Sequence, residues 1–187
     1  REIKLIANLR LFEQGTQVYV LPLMIKKDEM LAKISGSNNA VTLSGKFSED
    51  ITLIGKGAGS LPTASAIVSD LNKVLRHPEP FPPPPITSKL VLESIENIRF
   101  RHTLRFEVRD HPGIFGHIGS IFERHSINIY ALEQLPQYHR IGKEGEEIVI
   151  FTLTIQDCVE GLVIKALKEI NQAEYMLKPV VLLREIV

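Results

Sequence analysis

The chain contains 187 residues, enough for one or two modest domains that each bury a core. Its 22 lysines and arginines equal its 22 aspartates and glutamates, so no overall field favours a nucleic acid or an anionic membrane as partner. A lone cysteine, Cys158, excludes an internal disulfide and a cysteine-based zinc site, and no apolar run approaches the ~20 residues of a membrane span. We therefore expect a cytoplasmic protein without nucleic-acid or membrane partners.

The beginning of the chain is dominated by strand patterns. Residues 3–9 and 17–25 are apolar or β-branched runs of strand length, and Pro22 removes one ladder donor from the second run. Residues 39–45 and 50–54 are predicted to form a hairpin. Such a sheet would leave one apolar face uncovered, so we expect this face to pack on another copy or on residues outside this chain.

A glycine-rich turn, GKGAGSLPTASA, follows at residues 55–66. Glycines at alternate positions remove Cβ atoms where a strand turns into a helix, so the backbone can adopt positive φ and approach another surface closely. The helix that follows ends near His77, with Ser60 as a candidate N-cap and Pro62 as a first helical position. Two interpretations fit: a corner with small residues for packing, or backbone N–H groups that face a nucleotide.

Residues 55–71, GKGAGSLPTASAIVSDL, closely resemble the signature G-x-GAG-x-x-PTASAVVSDL of homoserine dehydrogenases. Residues 37–41 and 3–7 are similar to the family's segments that lead into it. The resemblance implies that residues 1–77 are the C-terminal piece of the catalytic and dimerisation region, which completes the substrate-side sheet and builds the dimer interface. The residues it places beside the nicotinamide cofactor, NADP or NAD, are Gly57, Ala58 and Gly59.

The family's residues for hydride transfer, an acidic group and a lysine near homoserine, lie upstream of the matched segment, as does its nucleotide-binding βαβ unit. Lys4, Lys26 and Lys27 are typical of solvated strand ends, so we assign no catalytic residue in this chain. Because the chain begins at Arg1, within a strand pattern, we interpret it as a fragment that lacks its N-terminal part. The fragment alone should show no turnover with homoserine and NADP.

Residues 77–85 hold six prolines in nine positions. Such a run cannot form the interior of a helix and favours extended polyproline II, a semi-rigid spacer. It could also bind a recognition domain, but its place between two folded segments favours the spacer. We therefore place a Pro-rich linker at residues 78–101, between residues 1–77 and a second domain at residues 102–187.

The second domain has the element order βαββαβ. Residues 103–109, 127–134, 147–155 and 176–186 are predicted strands, and residues 159–170 form the second of two helices. With right-handed crossovers this order gives a ferredoxin-like sheet of four antiparallel strands backed by two helices, so we assign the chain to the α+β class. Helical spacing places four apolar side chains of the first helix on one face. They are Ile114, Ile118, Ile121 and Phe122.

Residues 110–114, DHPGI, and 126–129, SINI, resemble the D-x-P-G-hydrophobic turn and the following strand of the ACT domain, a small amino-acid-binding regulatory module. In that family the ligand meets this turn, often between two ACT units. Asp110 could receive an ammonium, N–H groups at the helix start a carboxylate, and Asn128 a hydroxyl such as threonine's. Equally, Asp110 could simply help to make the turn and Asn128 occupy an edge position. The candidate effector-binding residues are Asp110, Gly113, Ile114, Asn128 and Ile129.

Five histidines lie in the second domain, but no pair has a spacing that joins it to carboxylates on one helical face, so we expect no metal site. His111 and His117 straddle the turn and the helix start. A pH-sensitive contact to a ligand is one interpretation of them, and a surface position is the other. Residues 143–147 are predicted to be a solvated loop.

Together the two resemblances imply the C-terminal part of an NAD(P)-dependent homoserine dehydrogenase, which interconverts aspartate semialdehyde and homoserine and forms a homodimer or higher homo-oligomer. Its ACT domain would sense a pathway end product, threonine. The alternative is a stand-alone amino-acid-binding ACT regulatory protein without catalysis, which keeps a dehydrogenase-like sheet for dimerisation. A long upstream reading frame with a glycine-rich βαβ start favours the enzyme, and an initiator codon immediately before Arg1 favours the module.

Overall fold

The computed structural model describes residues 1–13, 15–77, 90–142 and 145–186. These residues are folded into strands and helices in an α+β arrangement, which confirms the predicted class. The strands are β1 (Glu2–Phe12), β2 (Gly15–Ile25), β3 (Asn38–Gly45), β4 (Ser48–Lys56), β5 (Arg99–Arg109), β6 (Ile129–Ile141), β7 (Glu147–Val159) and β8 (Val181–Glu185). The α-helices are α1 (Ser60–Arg76), α2 (Ile114–Arg124) and α3 (Glu160–Ile170). None of the described helices is both long and apolar enough to cross a membrane.

The chain divides into two compact units. The smaller comprises Arg1–Glu2 and Ile25–Lys89, and the larger comprises Ile3–Met24 and Leu90–Val187. The larger unit contains a six-stranded sheet in the order β1-β2-β8-β5-β7-β6. β5 pairs antiparallel with β7 and β8, and β6 pairs antiparallel with β7. These four strands form the predicted ferredoxin-like sheet.

The core of the larger unit lies between this sheet and the helices α2 and α3. The helix α2 buries the four side chains that its spacing predicts, Ile114, Ile118, Ile121 and Phe122. They pack with alternate residues of β5 and β7 and with the apolar stripe of α3. Each such side chain contributes about 1.5–3 kcal/mol through its burial. Members from the strands are Leu104, Phe106, Val108, Val149, Phe151, Leu153, Ile155 and Cys158, and those from α3 are Val163, Ala166, Leu167 and Ile170.

Two strands from the beginning of the chain extend the sheet of the larger unit. β2 runs parallel to β8, with Leu23 opposite Arg184 and Met24 opposite Glu185. A second apolar cluster forms beside this pairing. The domain boundary predicted at residue 77 placed β1 and β2 in the first domain, whereas residues 3–24 belong to the larger unit together with the second domain. Their partner strand lies at the far end of the chain, so local patterns could not reveal it. The buried members of the second cluster are Tyr19, Leu23, Ile98 and Phe100.

The predicted linker is described only in part. Residues 78–89, which hold all of its prolines, lie outside the described residues. The following residues are fixed against β2, because the N–H of Thr16 donates to the carbonyl of Val91 (2.8 Å) and the N–H of Glu93 donates to the carbonyl of Thr16 (2.9 Å). After a short 3₁₀ helix, Ile95–Asn97, β5 begins at Arg99, ahead of the predicted domain start at residue 102.

The smaller unit contains the predicted hairpin, β3 paired with β4, and the helix α1. Gly59, not Ser60, is the N-cap of α1, and both the N–H and the hydroxyl of Thr63 donate to its carbonyl (3.2 and 2.8 Å). Every residue of α1 except Pro62 is exposed. The helix therefore presents a row of uncovered apolar side chains, Leu61, Ile67, Val68, Leu71, Val74 and Leu75.

The last strand is shorter than predicted. β8 spans Val181–Glu185, whereas the sequence pattern placed its start at residue 176. Residues before it reach β5 through separate hydrogen bonds, from the N–H of Arg109 to the carbonyl of Tyr175 and from the N–H of Leu177 to the carbonyl of Glu107 (2.9 and 3.1 Å). Pro179 has no N–H to donate, so it interrupts the ladder between these bonds and β8.

Candidate functional site: the turn between β5 and α2

The turn between β5 and α2 holds three of the candidate effector-binding residues. Gly113 is the N-cap of α2 and has φ +96°, in the left-handed region that favours glycine. No described atom lies within 4 Å of the position that a Cβ would take there, so the backbone angle alone requires glycine. The turn and the adjoining sheet surround a hollow of about 190 Å³. Its lining includes Asp110, Gly113, Ile114, Phe115, Gln134 and Phe151.

The floor of this hollow is aromatic. The ring of Phe151 stacks on Phe106 with centroids 4.7 Å apart and meets Phe115 edge-on at 4.9 Å. A carboxylate, Asp110, lies at one side, and the N-terminus of α2 supplies backbone N–H groups and a positive dipole end. The hollow therefore combines an apolar surface with a carboxylate that can bind a cationic group and with backbone N–H groups that can bind an anionic group. That combination suits a small zwitterion.

Asn128 and Ile129 lie elsewhere in the same unit. They line a second hollow, of about 400 Å³, beside the C-terminal end of α2. The helix α2 has 11 residues, so its two ends are separated by about 16 Å. The side-chain amide of Asn128 donates to Gln156 Oε1 at 3.4 Å. One small ligand bound within a single chain thus cannot contact both groups of candidate residues.

Histidine side chains near the turn have different surroundings. His111 is exposed and lines the first hollow. His117 is one turn into α2, and its Nδ1 lies 3.0 Å from the hydroxyl of Tyr175. Burial raises the pKa of the Tyr175 hydroxyl, so this group stays protonated at neutral pH. Of the two histidines, only His111 is placed to meet a ligand in the hollow.

Sequence reasoning missed a buried group of ionisable side chains near the N-terminal end of β5, at the opposite end of this strand from the turn. His102 and Glu160 are fully buried, and His102 Nε2 lies 2.8 Å from Glu160 Oε2. Arg184, opposite His102 in the β5–β8 ladder, donates from its Nε to Glu160 Oε1 at 2.9 Å. A signal was present in the sequence, because His102 continues the alternation of the buried residues Phe100 and Leu104 along β5.

A second missed group includes Asp110 itself. His139 Nε2 lies 3.8 Å from Asp110 Oδ2 and 3.6 Å from Glu147 Oε2. The ligand atoms of the three exposed side chains all lie within 4.8 Å of one another. Spacing along the chain could not reveal this group, because its members come from three different strands or strand ends.

The glycine corner of the smaller unit is exposed throughout residues 55–60. The structure explains its glycines in different ways. A Cβ on Gly57 would lie 1.8 Å from Nδ2 of Asn39, and Gly59 has φ +122°. Gly55 has no described atom within 4 Å of its Cβ position. The corner is therefore open on its outer side, where Ala58 and Gly59 line a hollow with Ser37 and Leu61.

Two parts of the chain match known protein families. Residues 102–172 match the family model of the ACT domain. The strand order and the glycine-containing turn after the first strand agree with that match. The resemblance inferred from the turn motif is thereby confirmed.

Residues 1–71 match the family model of homoserine dehydrogenase, so a segment similar to this family precedes the segment that matches the ACT domain. The homoserine dehydrogenases of Neisseria gonorrhoeae and Pseudomonas aeruginosa are each 30% identical to it over alignments that cover 97% of this chain. Those alignments cover 42% and 43% of the two relatives, so the chain spans about two fifths of their length. A crystal structure of a homoserine dehydrogenase from Thiobacillus denitrificans matches 98% of this chain and 42% of its own, with a TM-score of 0.79 and 29% identity.

Proposed function

We propose that this chain is the regulatory and dimerisation part of an NAD(P)-dependent homoserine dehydrogenase, a cytoplasmic enzyme that interconverts aspartate semialdehyde and homoserine. The observation that carries the proposal is the continuous similarity, over 97% of the chain, to enzymes of that name. The sequence of the natural reading frame upstream of Arg1 tests it. A glycine-rich βαβ unit there supports the enzyme, and an initiator codon directly before Arg1 contradicts it.

The proposed place for the nicotinamide cofactor, NADP or NAD, is the exposed corner at Gly57, Ala58 and Gly59. Support comes from the open outer side of this corner and from Gly59, whose positive φ favours glycine. As a glycine, it has no side chain between the backbone and an approaching ring. The phosphate-binding turn and the catalytic residues belong to the proposed remainder of the enzyme. The chain alone is accordingly proposed to be inactive.

The proposed partner is a second copy of the chain, bound through one face of β1 and β2. Alternate residues of these strands present a continuous apolar surface, on which Leu5 is 74% exposed. Apolar patches of this kind mark interaction sites in folded proteins. The exposed members are Ile3, Leu5, Leu9, Leu11, Val18 and Val20.

We expect the purified chain to self-associate through this β1–β2 face at micromolar concentration. Leu5→Lys should shift the population toward the monomer, because a solvated ammonium would have to enter an apolar interface. Phe47→Lys, at an exposed hairpin loop, is the matched control and should leave the mass unchanged. Light scattering measures both. The proposed interface is contradicted if the unmodified chain has a monomeric mass. It is also contradicted if the Leu5 variant has the same mass as the Phe47 variant and the unmodified chain.

The proposed effector of the ACT domain is threonine, bound in the hollow at the β5–α2 turn. Asp110 would accept its ammonium, and the N–H groups at Gly113 and Ile114 would donate to its carboxylate. Asn128 and Ile129 follow the C-terminal end of α2 and lie too far from the turn to reach the same molecule within one chain. We propose that they are supplied by a second copy, so that the effector binds between two ACT units.

Threonine should raise the melting temperature of the chain, because a ligand of the native state stabilises it by mass action. At a threonine concentration 100 times the Kd the gain is about 2.7 kcal/mol. Asp110→Ala should abolish the shift, whereas Asp70→Ala, which removes an exposed carboxylate paired with Lys73 on α1, should preserve it. Differential scanning fluorimetry measures all three proteins. Absence of a shift with threonine, or the same shift in the Asp110 variant, would oppose this assignment.

A further inference from the structure

The group formed by Asp110, His139 and Glu147 combines three metal-ligating side chains. All three are exposed, and the imidazole Nε2 lies within 3.8 Å of a carboxylate oxygen on either side. The group adjoins the hollow at the β5–α2 turn, because Asp110 also lines that hollow. No part of the proposed dehydrogenase function uses His139 or Glu147.

The register of the sheet brings these side chains together. Val108 lies opposite Val149 in the β5–β7 ladder, and both point into the helical core. Asp110 and Glu147 are each two residues beyond this pair, so they share its face. The N–H of Asp110 donates to the carbonyl of Glu147 at 2.7 Å, and this bond fixes their separation. His139 lies opposite Val149 in the β6–β7 ladder, so its side chain joins the same face.

The donor set selects a class of ion. One imidazole nitrogen with two carboxylate oxygens suits zinc, cobalt and related divalent ions, whereas magnesium and calcium prefer oxygen ligands only. Bonds of about 2.0–2.2 Å place tetrahedral zinc ligands about 3.4 Å apart. The separations of 3.6 and 3.8 Å are close to this value, and exposed side chains can close the difference by small rotations.

The surrounding charges also favour a cation. Two carboxylates supply two negative charges, and the neighbouring Arg140 is held by Glu107 instead. Glu107 is next to Val108 in sequence and Arg140 is next to His139, so both lie on the opposite face of the sheet. Lys178 also pairs with Glu107, at 2.9 Å. These cations therefore do not compete for Asp110 and Glu147.

We propose that Asp110, His139 and Glu147 bind one divalent transition metal ion of the zinc and cobalt class beside the ACT turn. Three protein ligands leave further coordination positions to water or to another small ligand. The site would form within one chain, so it depends neither on the proposed dehydrogenase activity nor on self-association. The alternative is a set of plain ion pairs between a charged imidazole and two carboxylates, which binds no metal.

Titration of the 187-residue chain with Co²⁺ tests the proposal, because visible absorption reports nitrogen and oxygen ligation directly. We expect saturation at one ion per chain and displacement by Zn²⁺. His139→Ala should weaken binding by more than about 100-fold, since loss of an outer-shell partner alone costs about 10–100-fold. Glu147→Gln should also weaken it, and His111→Ala, at an exposed histidine of the same turn outside the group, should not.

Circular dichroism of each variant checks that folding is intact, which we expect because all the substituted side chains are exposed. The proposal is overturned if the unmodified chain shows no saturable Co²⁺ binding at millimolar concentration, the result expected of plain ion pairs. It is equally overturned if the His139 variant binds as the unmodified chain does, or if His111→Ala weakens binding as strongly as His139→Ala.

Discussion

Glu160→Gln should destabilise the ACT domain by about 3–5 kcal/mol, because it removes one partner from a buried ion pair and leaves the other uncompensated. Glu160 begins α3 and contacts both His102 on β5 and Arg184 on β8. Its side chain therefore connects the helix to two adjacent strands. Urea denaturation followed by circular dichroism measures the loss, and an unchanged midpoint would contradict the importance of this contact.

Two further variants separate the buried charge from general damage. Glu169→Gln removes an exposed carboxylate that pairs with Arg124 and His125, and it should leave the unfolding midpoint close to that of the unmodified chain. The double variant Glu160→Met with Arg184→Met should recover part of the loss, because the guanidinium no longer lacks its carboxylate partner, while the imidazole of His102 still does. A double variant as unstable as Glu160→Gln would locate the effect in packing instead.

The contribution of Glu160 to stability should also depend on pH. Burial tends to raise the pKa of Glu160, but the hydrogen bonds and charges of His102 and Arg184 outweigh it, so the pKa lies below its ordinary value. A carboxyl with a lowered native pKa contributes stability that is complete above the unfolded pKa of about 4.3. That contribution disappears as the pH falls from there through the native pKa. The difference between the unmodified chain and Glu160→Gln should therefore shrink in acid.

Local patterns predicted those parts of the fold that depend on near neighbours. The spacing of Ile114, Ile118, Ile121 and Phe122 identified the buried face of α2, because a helix places residues three and four apart on one side. The glycine at position 113 marked the turn for the same kind of reason, since its left-handed φ is a local requirement. Such signals need no knowledge of the rest of the chain.

Features that depend on pairing between distant strands could not be predicted. The parallel pairing of β2 with β8 joins strands from the two ends of the chain, and no motif in either strand predicts it. The meeting of His139 with Asp110 requires the register of three strands to be known. The candidate effector-binding residues were predicted from two nearby segments, 110–114 and 126–129. In the structure these segments lie at opposite ends of α2 and line different hollows.

Phe106→Ala should cost about 3–5 kcal/mol of stability, the range found when a large buried aromatic side chain is truncated. Phe106 is fully buried on β5, and its ring stacks on Phe151 with an angle of 8° between the planes. Removal of the ring leaves a cavity and forfeits an aromatic contact of about 0.5–1.5 kcal/mol beyond the lost burial. Phe47→Ala, at a side chain that is 94% exposed, should leave stability unchanged in the same urea titration.

The same substitution should also weaken the response to threonine. Phe151 and Phe115 line the hollow at the β5–α2 turn, and the ring of Phe106 on the neighbouring strand stacks on the ring of Phe151. Without that contact the ring of Phe151 can shift into the cavity that Phe106 leaves, so the proposed ligand loses apolar contact. Phe106→Leu retains part of the volume and should retain part of the melting-temperature shift. If Phe106→Ala is as stable as the unmodified chain, or responds to threonine with the full shift, the hollow does not depend on this aromatic stack.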